Sequence, residues 1–298
     1  MNVKKPKRTD YIKQLYYRYK NDDISAFSAQ LTYFIVLSFF PFLLFLLNIL
    51  SFASMQISVF TNSVIEYLPY DVGVLIKSII TEMLRAGSPV LLSVGAAVAI
   101  WSASQGINAI RKGLNRAYDR EETRPYWKVR LMALFFTIGI ALVILATTLF
   151  LISGKVTGEY IFGIIGATRA FGGFWDILRY VIPVAIMLLV FSVFYKFLPS
   201  HKIKLKAVLP GALFTTAGWL VISVAFSFYI NNFVGYVTLY GSIGLVIIVL
   251  LWLHISSMII LVGGEINAIV DYFRSGEIIE KYENIQIKLP RIFTKKKK

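Results

Sequence analysis

The chain has no cysteine and only two histidines, His201 and His254. The first absence excludes disulfides and thiol catalysis, and the second leaves no zinc-ligand spacing. Charge is scarce and one-sided: charged residues make up 16%, with 31 Lys and Arg against 16 Asp and Glu. Metal-dependent phosphodiester hydrolysis needs carboxylates or histidines converging on one or two ions. The one compact acidic group, Asp119, Glu121 and Glu122, is interleaved with Arg116, Arg120 and Arg124 in NRAYDREETRP. That pattern reads as ion pairing on a helix–loop. The residues imply no catalytic set, no metal site and no cofactor, so the chain is not read as an enzyme.

What the chain has in plenty is hydrocarbon. Hydrophobic residues make up 57% and mean hydropathy is +0.68. Six apolar segments stand out, at about 26–52, 90–110, 131–153, 177–198, 207–230 and 243–270. A bilayer core of ~30 Å is crossed by ~20 apolar helical residues, and each segment is long enough. Of the 31 basic residues, 26 lie in four blocks between these segments, at 4–20, 111–130, 196–206 and 274–298. Placing all four blocks on one side makes the segments cross in strict alternation, as the positive-inside rule requires. The expected fold is therefore all-α: a polytopic membrane protein with six transmembrane helices, interfacial amphipathic helices, and N and C termini cytoplasmic. Residues 1–25 form a basic interfacial segment, 26–270 the membrane domain and 271–298 a basic tail. The first span is expected to serve as a retained signal anchor. The pI near 9.8 is explained by orientation and by attraction to anionic headgroups, so membrane lipids are the expected partners and nucleic acid is not.

Local patterns refine this. Residues 10–20 interleave Tyr11, Ile12, Leu15, Tyr16 and Tyr19 with Lys13, Arg18 and Lys20, as in an interfacial helix. Pro41 predicts a kink in the first span. Leu75, Ile76, Ile79, Ile80 and Met83 predict an amphipathic outer helix within 71–86. Gly95, Ala99, Ser102 and Gly106 form one small-residue stripe, and Gly211, Thr215, Gly218 and Ala225 another. Such stripes let helices approach closely within or between subunits, so they admit a homo-oligomer. Arg179 and Lys196 bracket a short fourth span and should snorkel or pair. Residues 207–264 carry no Asp, Glu, Lys or Arg and form a hairpin in which Trp219 and Trp252 either meet or both face lipid.

The stretches SAQLTYFIVLSFFPFLLFL (28–46), WSASQGINAIRKGLNRAYDREETRPYWKVRL (101–131), LPGALFTTAGWLVISVAFSFYINNFVGYVTLYGSIG (209–244) and LLWLHISSMIILVGGEINA (250–268) resemble the YihY/BrkB family of bacterial inner-membrane proteins. Members were once labelled ribonuclease BN. The resemblance covers most of the chain and implies six spans, cytoplasmic ends and a multi-pass protein of the bacterial cell membrane. It also implies a link to envelope lipid export, with no settled mechanism. His254 departs from the family pattern, where an aromatic such as Tyr is more frequent.

Two groups of residues are candidates for function. Glu265 is ionisable and lies within a span, where such groups face the bundle interior or a water path. His254 shares its helical stripe eleven residues earlier, Asn267 is beside it, and Gln105 and Asn108 come from another span. Together these five outline a candidate translocation path. The basic loop residues Arg111, Lys112, Arg116, Arg120, Arg124, Lys128 and Arg130, set among Tyr118, Tyr126 and Trp127, are candidates for anionic headgroup binding, because guanidinium forks match phosphate. The expected function is transport or flippase-like translocation of anionic lipids or envelope precursors. The alternative is a non-transporting scaffold or regulator of envelope enzymes.

Overall fold

Residues 8–52, 73–74, 77–78, 89–164, 168–201, 203–232 and 235–275 are described by the structure, a computed structural model. They form seven principal helices: α1 (Arg8–Asn21), α2 (Ile24–Phe52), α3 (Pro89–Ala117), α4 (Tyr126–Ile164), α5 (Thr168–Phe197), α6 (Leu205–Asn232) and α7 (Gly235–Ser275). No strand occurs among the described residues. Among the described residues, four windows are long and apolar enough to cross a membrane: Tyr126–Leu151, Gly172–Phe197, Leu205–Ile230 and Val246–Phe273. A shorter apolar stretch, Ile24–Phe39, lies in α2. The predicted outer helix within 71–86 lies outside the described residues, apart from 73–74 and 77–78, which are helical. Helix α2 runs as one helix through Pro41, the position of the predicted kink.

Local chemistry sets the helix ends. Helix α3 stops where Asp119 takes a left-handed conformation, φ 49°. There the Asp119 amide donates to the Arg116 carbonyl at 3.1 Å and the Arg120 amide to the Asn115 carbonyl at 2.9 Å. This is the paired closure of a Schellman motif, with Asp in the place glycine usually takes. Pro125 then starts α4, its carbonyl accepting from the Lys128 and Val129 amides. Asp23, φ 54°, makes the corner between α1 and α2.

Consecutive helices from α2 to α7 pack on one another, and α7 returns to α2, closing a ring. Helix α3 also touches α7 across it, and α1 docks against α7 and α2. The main buried cluster lies towards one end, around Leu114, Ala117, Tyr195, Leu198, Val208, Ala212 and Ala268.

That end is held by close helix contact. A Cβ at Gly263 would overlap Thr215 Oγ1 and crowd Tyr195, and one at Gly211 would strike the Gly263 carbonyl. Gly218 faces Ile259, and Gly106 faces Leu31 and Phe34 of α2. Both small-residue stripes thus pack helix on helix where they are described, although Ala225 is exposed. Trp219 and Trp252 meet, ring centroids 5.8 Å apart, with Phe226 stacked on Trp252 at 5.5 Å.

Candidate functional site

The basic segments on α1, on the α3–α4 loop and on the α5–α6 loop come together at this one end, where α7 also ends; residues 276–298 of the fourth lie outside the described residues. Arg116 links the first two, its Nε 3.6 Å from buried Asp22 and its Nη2 donating to the Asn21 carbonyl at 3.3 Å. Asn115 accepts the Ser200 amide at 2.8 Å, Arg124 donates to the Leu198 carbonyl at 2.8 Å, and Tyr118 packs edge-on against His201. Those contacts join the second and third segments. Tyr11 of α1 meets Phe273 of α7 at 4.5 Å, bringing the first segment to the end of α7.

At the centre lies Glu265. It is 1% exposed, and its partner is Arg18 of α1, which is 0% exposed. Arg18 Nη1 is 3.4 Å from Glu265 Oε2 and also donates to the Ala117 carbonyl at the end of α3. One guanidinium thus ties α1, α3 and α7. Helix α1 and the residue just after it turn Arg18 and Asp22, four positions apart, towards the bundle and leave Ile12 and Tyr16 outward, while the Tyr19 hydroxyl reaches Met258 of α7 at 3.4 Å. Of the predicted interfacial stripe, Ile12 and Tyr16 are exposed, and Tyr11 packs against Phe273 of α7. The role of Arg18 is different, because it points inward to a carboxylate and not out towards phosphate.

Nearby, Glu122 gathers the loop. Arg124 donates to it through Nε at 2.7 Å and Nη2 at 2.9 Å, Asn115 donates at 3.1 Å, and Arg111 is bonded to the same carboxylate. Partial burial acts to raise the Glu122 pKa, but the hydrogen bonds from Arg124 and Arg111 outweigh it and hold the group down at about 2. Burial, reinforced by Asp271, pushes the Tyr118 hydroxyl above the usual phenol range.

The five residues read as a path fall into separate hydrogen-bonded groups. Glu265 is held by Arg18. Asn267 accepts the Gly211 amide of α6 at 2.6 Å. Asn108 donates to Gln105 at 3.2 Å and accepts from Arg111 Nε at 3.5 Å. His254 is half-buried on α7. Of the seven basic candidates, Arg111, Arg116 and Arg124 are engaged in the ion pairs above. The others face outward to differing degrees: Lys112 and Arg120 are exposed, Lys128 lies over Trp127 at 5.4 Å, and half-buried Arg130 lies over Trp101 at 5.9 Å. Lys20 over Tyr16 at 5.2 Å and Lys196 over Phe197 at 5.0 Å add two more cation–aromatic pairs. Arg179 is 3.6 Å from Asp176 and lies over Tyr180 at 4.8 Å. No group of three His, Cys, Asp or Glu is placed to hold a metal ion among the described residues.

Sequence reasoning missed two features here, Arg18 as the partner of Glu265 and Tyr195. The Tyr195 hydroxyl lies 2.6 Å from both Thr215 Oγ1 and the Ile260 carbonyl. For Arg18 a signal existed, since an acid, Asp22, follows it four positions on, on the same helical face. For Tyr195 no sequence signal is evident.

Long apolar helices in a ring, with basic and aromatic side chains paired on the outside, define a multi-pass helical membrane protein. The chain belongs to the virulence factor BrkB family, whose model matches residues 15–284. It is 38% identical over 260 residues to YfkH of Bacillus subtilis, a protein whose name marks it only as ribonuclease-like; the match covers 87% of this chain and 94% of that one. It is also similar to UPF0761 membrane proteins of Alteromonas mediterranea (26%; 92% of this chain, 91% of the relative) and Pseudoalteromonas translucida (25%; 90% and 86%). No solved structure matches it.

Proposed function

We propose that the chain is a six-span protein of the bacterial cytoplasmic membrane, with both ends in the cytoplasm, that translocates anionic lipids or envelope precursors and is not an enzyme. The buried Arg18–Glu265 pair carries this reading. A bundle that only had to stay closed would gain stability from apolar residues there, since replacing a buried ion pair by packed hydrocarbon is often neutral or stabilising by ~1–4 kcal/mol. An ion pair is suited to an end that opens and re-forms, because each partner has water or phosphate as an alternative. The cytoplasmic end is then the closed end of this conformation, latched by α1. Ribonuclease chemistry is not part of this reading, since Glu122 is committed to arginines.

A scaffold or regulator of envelope enzymes is the second reading, favoured by the close packing of α6 on α7 at Gly211 and Gly263. Reconstitution in liposomes with fluorescent anionic lipids separates the two. Translocation predicts headgroup movement between leaflets that is lost when Arg18 and Glu265 are both replaced by Leu, although that variant unfolds no earlier than the wild type. A folded wild type that moves no headgroup, with or without a proton gradient, leaves the scaffold. Movement undiminished in the Leu pair removes the latch.

A further inference from the structure

Helix α3 is almost fully packed from Trp101 to Asn115, yet it keeps one accessible stripe. Its members are Trp101, Gln105, Asn108 and Lys112, exposed or half-buried, while the residues between are buried except Ala103. At 100° per residue these four lie within one narrow sector. A stripe left open on a helix of a membrane bundle should be apolar, because an amide facing hydrocarbon lacks partners for its donors. This one carries two amides and a lysine.

The hydrogen bonds fix which ends of the amides are on offer. Arg111 Nε occupies the Asn108 carbonyl, and the Asn108 amide nitrogen occupies the Gln105 carbonyl. Arg111 is itself anchored by Glu122. The acceptors are therefore used internally, and the Gln105 amide nitrogen is left with its N–H groups on the accessible stripe. Arg130 of α4 arches over Trp101 on one side, and Lys112 stands at the other, roughly 16 Å along the axis. Arg130 and Lys112 thus bring positive charge to the two ends of this strip. Beside it on α4, Leu131 and Phe135 are exposed apolar side chains, at 57% and 74%.

We infer that the α3–α4 face is a binding site for one anionic phospholipid, its phosphate held by Arg130 and Gln105, its acyl chains laid against Leu131 and Phe135, and Lys112 further along the stripe adding attraction at longer range. Arg130 supplies a planar fork suited to phosphate, Lys112 a mobile charge, and Gln105 neutral donors. The exposed indole of Trp127, at the start of α4, suits headgroup depth. The inference rests on the membrane reading above and deepens it by naming where an anionic lipid binds. It does not require that the lipid be moved.

Occupancy can therefore be tested apart from transport. Full-length protein in mild detergent is titrated with phosphatidylglycerol or phosphatidylcholine, and bound lipid is counted by native mass spectrometry. The expected result is a preference for phosphatidylglycerol that falls at least about tenfold when Lys112 and Arg130 are both changed to Gln, with phosphatidylcholine adducts unchanged. Lys112→Arg with Arg130→Lys, which keeps both charges, is expected to retain most of the preference. Phosphatidylglycerol binding undiminished in the Gln pair overturns the site. So does equal loss of both lipids, which would report a disturbed fold or a purely apolar contact. Glycerol 3-phosphate competing as strongly as the lipid would reassign the site to a soluble anion and overturn the lipid assignment. If the site stands while liposome assays show no movement, the translocation reading fails alone.

Discussion

The Tyr195 hydroxyl and Thr215 Oγ1 lie 2.6 Å apart, joining α5 to α6, and the same hydroxyl donates to the Ile260 carbonyl of α7 at 2.6 Å. Three helices meet on one oxygen. Tyr195→Phe keeps the ring and removes the bonds, leaving a buried carbonyl and a threonine short of a partner. A loss of about 1–3 kcal/mol is expected, read as earlier thermal unfolding in detergent. Unchanged unfolding would mean that the junction is held by ring packing alone.

The glycines around that junction should divide sharply. Gly263→Ala places a methyl into Thr215 and Tyr195 and should destabilise through overpacking, by about 1–3 kcal/mol or more. At Gly139 of α4 a β-carbon would meet nothing within 4 Å, so Gly139→Ala should be neutral or stabilise by up to about 1 kcal/mol through helix propensity. Equal effects at the two sites would contradict the close approach of α6 and α7.

Removing one member of the buried pair should hurt more than removing both. Arg18→Leu leaves Glu265 buried without its cation and is expected to cost about 3–5 kcal/mol, whereas the Leu pair is neutral or stabilising. Thermal unfolding of the two variants in one detergent decides this. A single variant as stable as the double would show that Glu265 finds another partner.

Glu122 sets an acid limit. Its carboxyl is held down at about 2 in the folded protein against an ordinary 4.5. Above 4.5 the group is ionised whether the chain is folded or not, and its contribution is full. The contribution declines as pH falls from about 4.5 and is gone once pH drops below about 2. Glu122→Gln should therefore lower stability at neutral pH and flatten the decline between those values. A variant that loses stability in parallel with wild type through that window would exclude Glu122 as the cause.

The absence of cysteine makes the docking of α1 directly measurable. Tyr11→Cys with Phe273→Cys, bridged by a short bismaleimide, should link α1 to α7 in high yield, since the native rings are 4.5 Å apart. In the translocation reading the linked protein moves no headgroups, while the unlinked double variant does. Equal movement by both would mean that α1 does not need to leave.

Much of the architecture is legible in the sequence because its signals are local. Apolar runs of span length, four basic blocks and small-residue stripes are read within a window of a few turns, and the first three blocks do gather at one end. The charged centre is less legible. Glu265 stands out as an acid within an apolar run, but its partner is 247 positions away, and no local pattern connects them. Arg18 sits in a tract whose tyrosines and lysines read as a membrane surface. Only the helical face it shares with Asp22 separates it from its neighbours. Among the loop cations, Arg111, Arg116 and Arg124 resemble Lys112 and Lys128 in the sequence. What divides them is the single acid Glu122 and the Asp22 corner, contacts fixed by how α3, α4 and α1 come together.

The clamp made by Arg18 also dates the completion of the molecule. At roughly 5–20 residues per second, the ribosome needs on the order of 12–50 s to travel from residue 18 to residue 265. Throughout that interval α1 lacks Glu265, the carboxylate through which Arg18 reaches α7. A chain cut short before α7 would keep α1 loose and open to proteases. Docking of the first helix thus reports that the last one has been inserted.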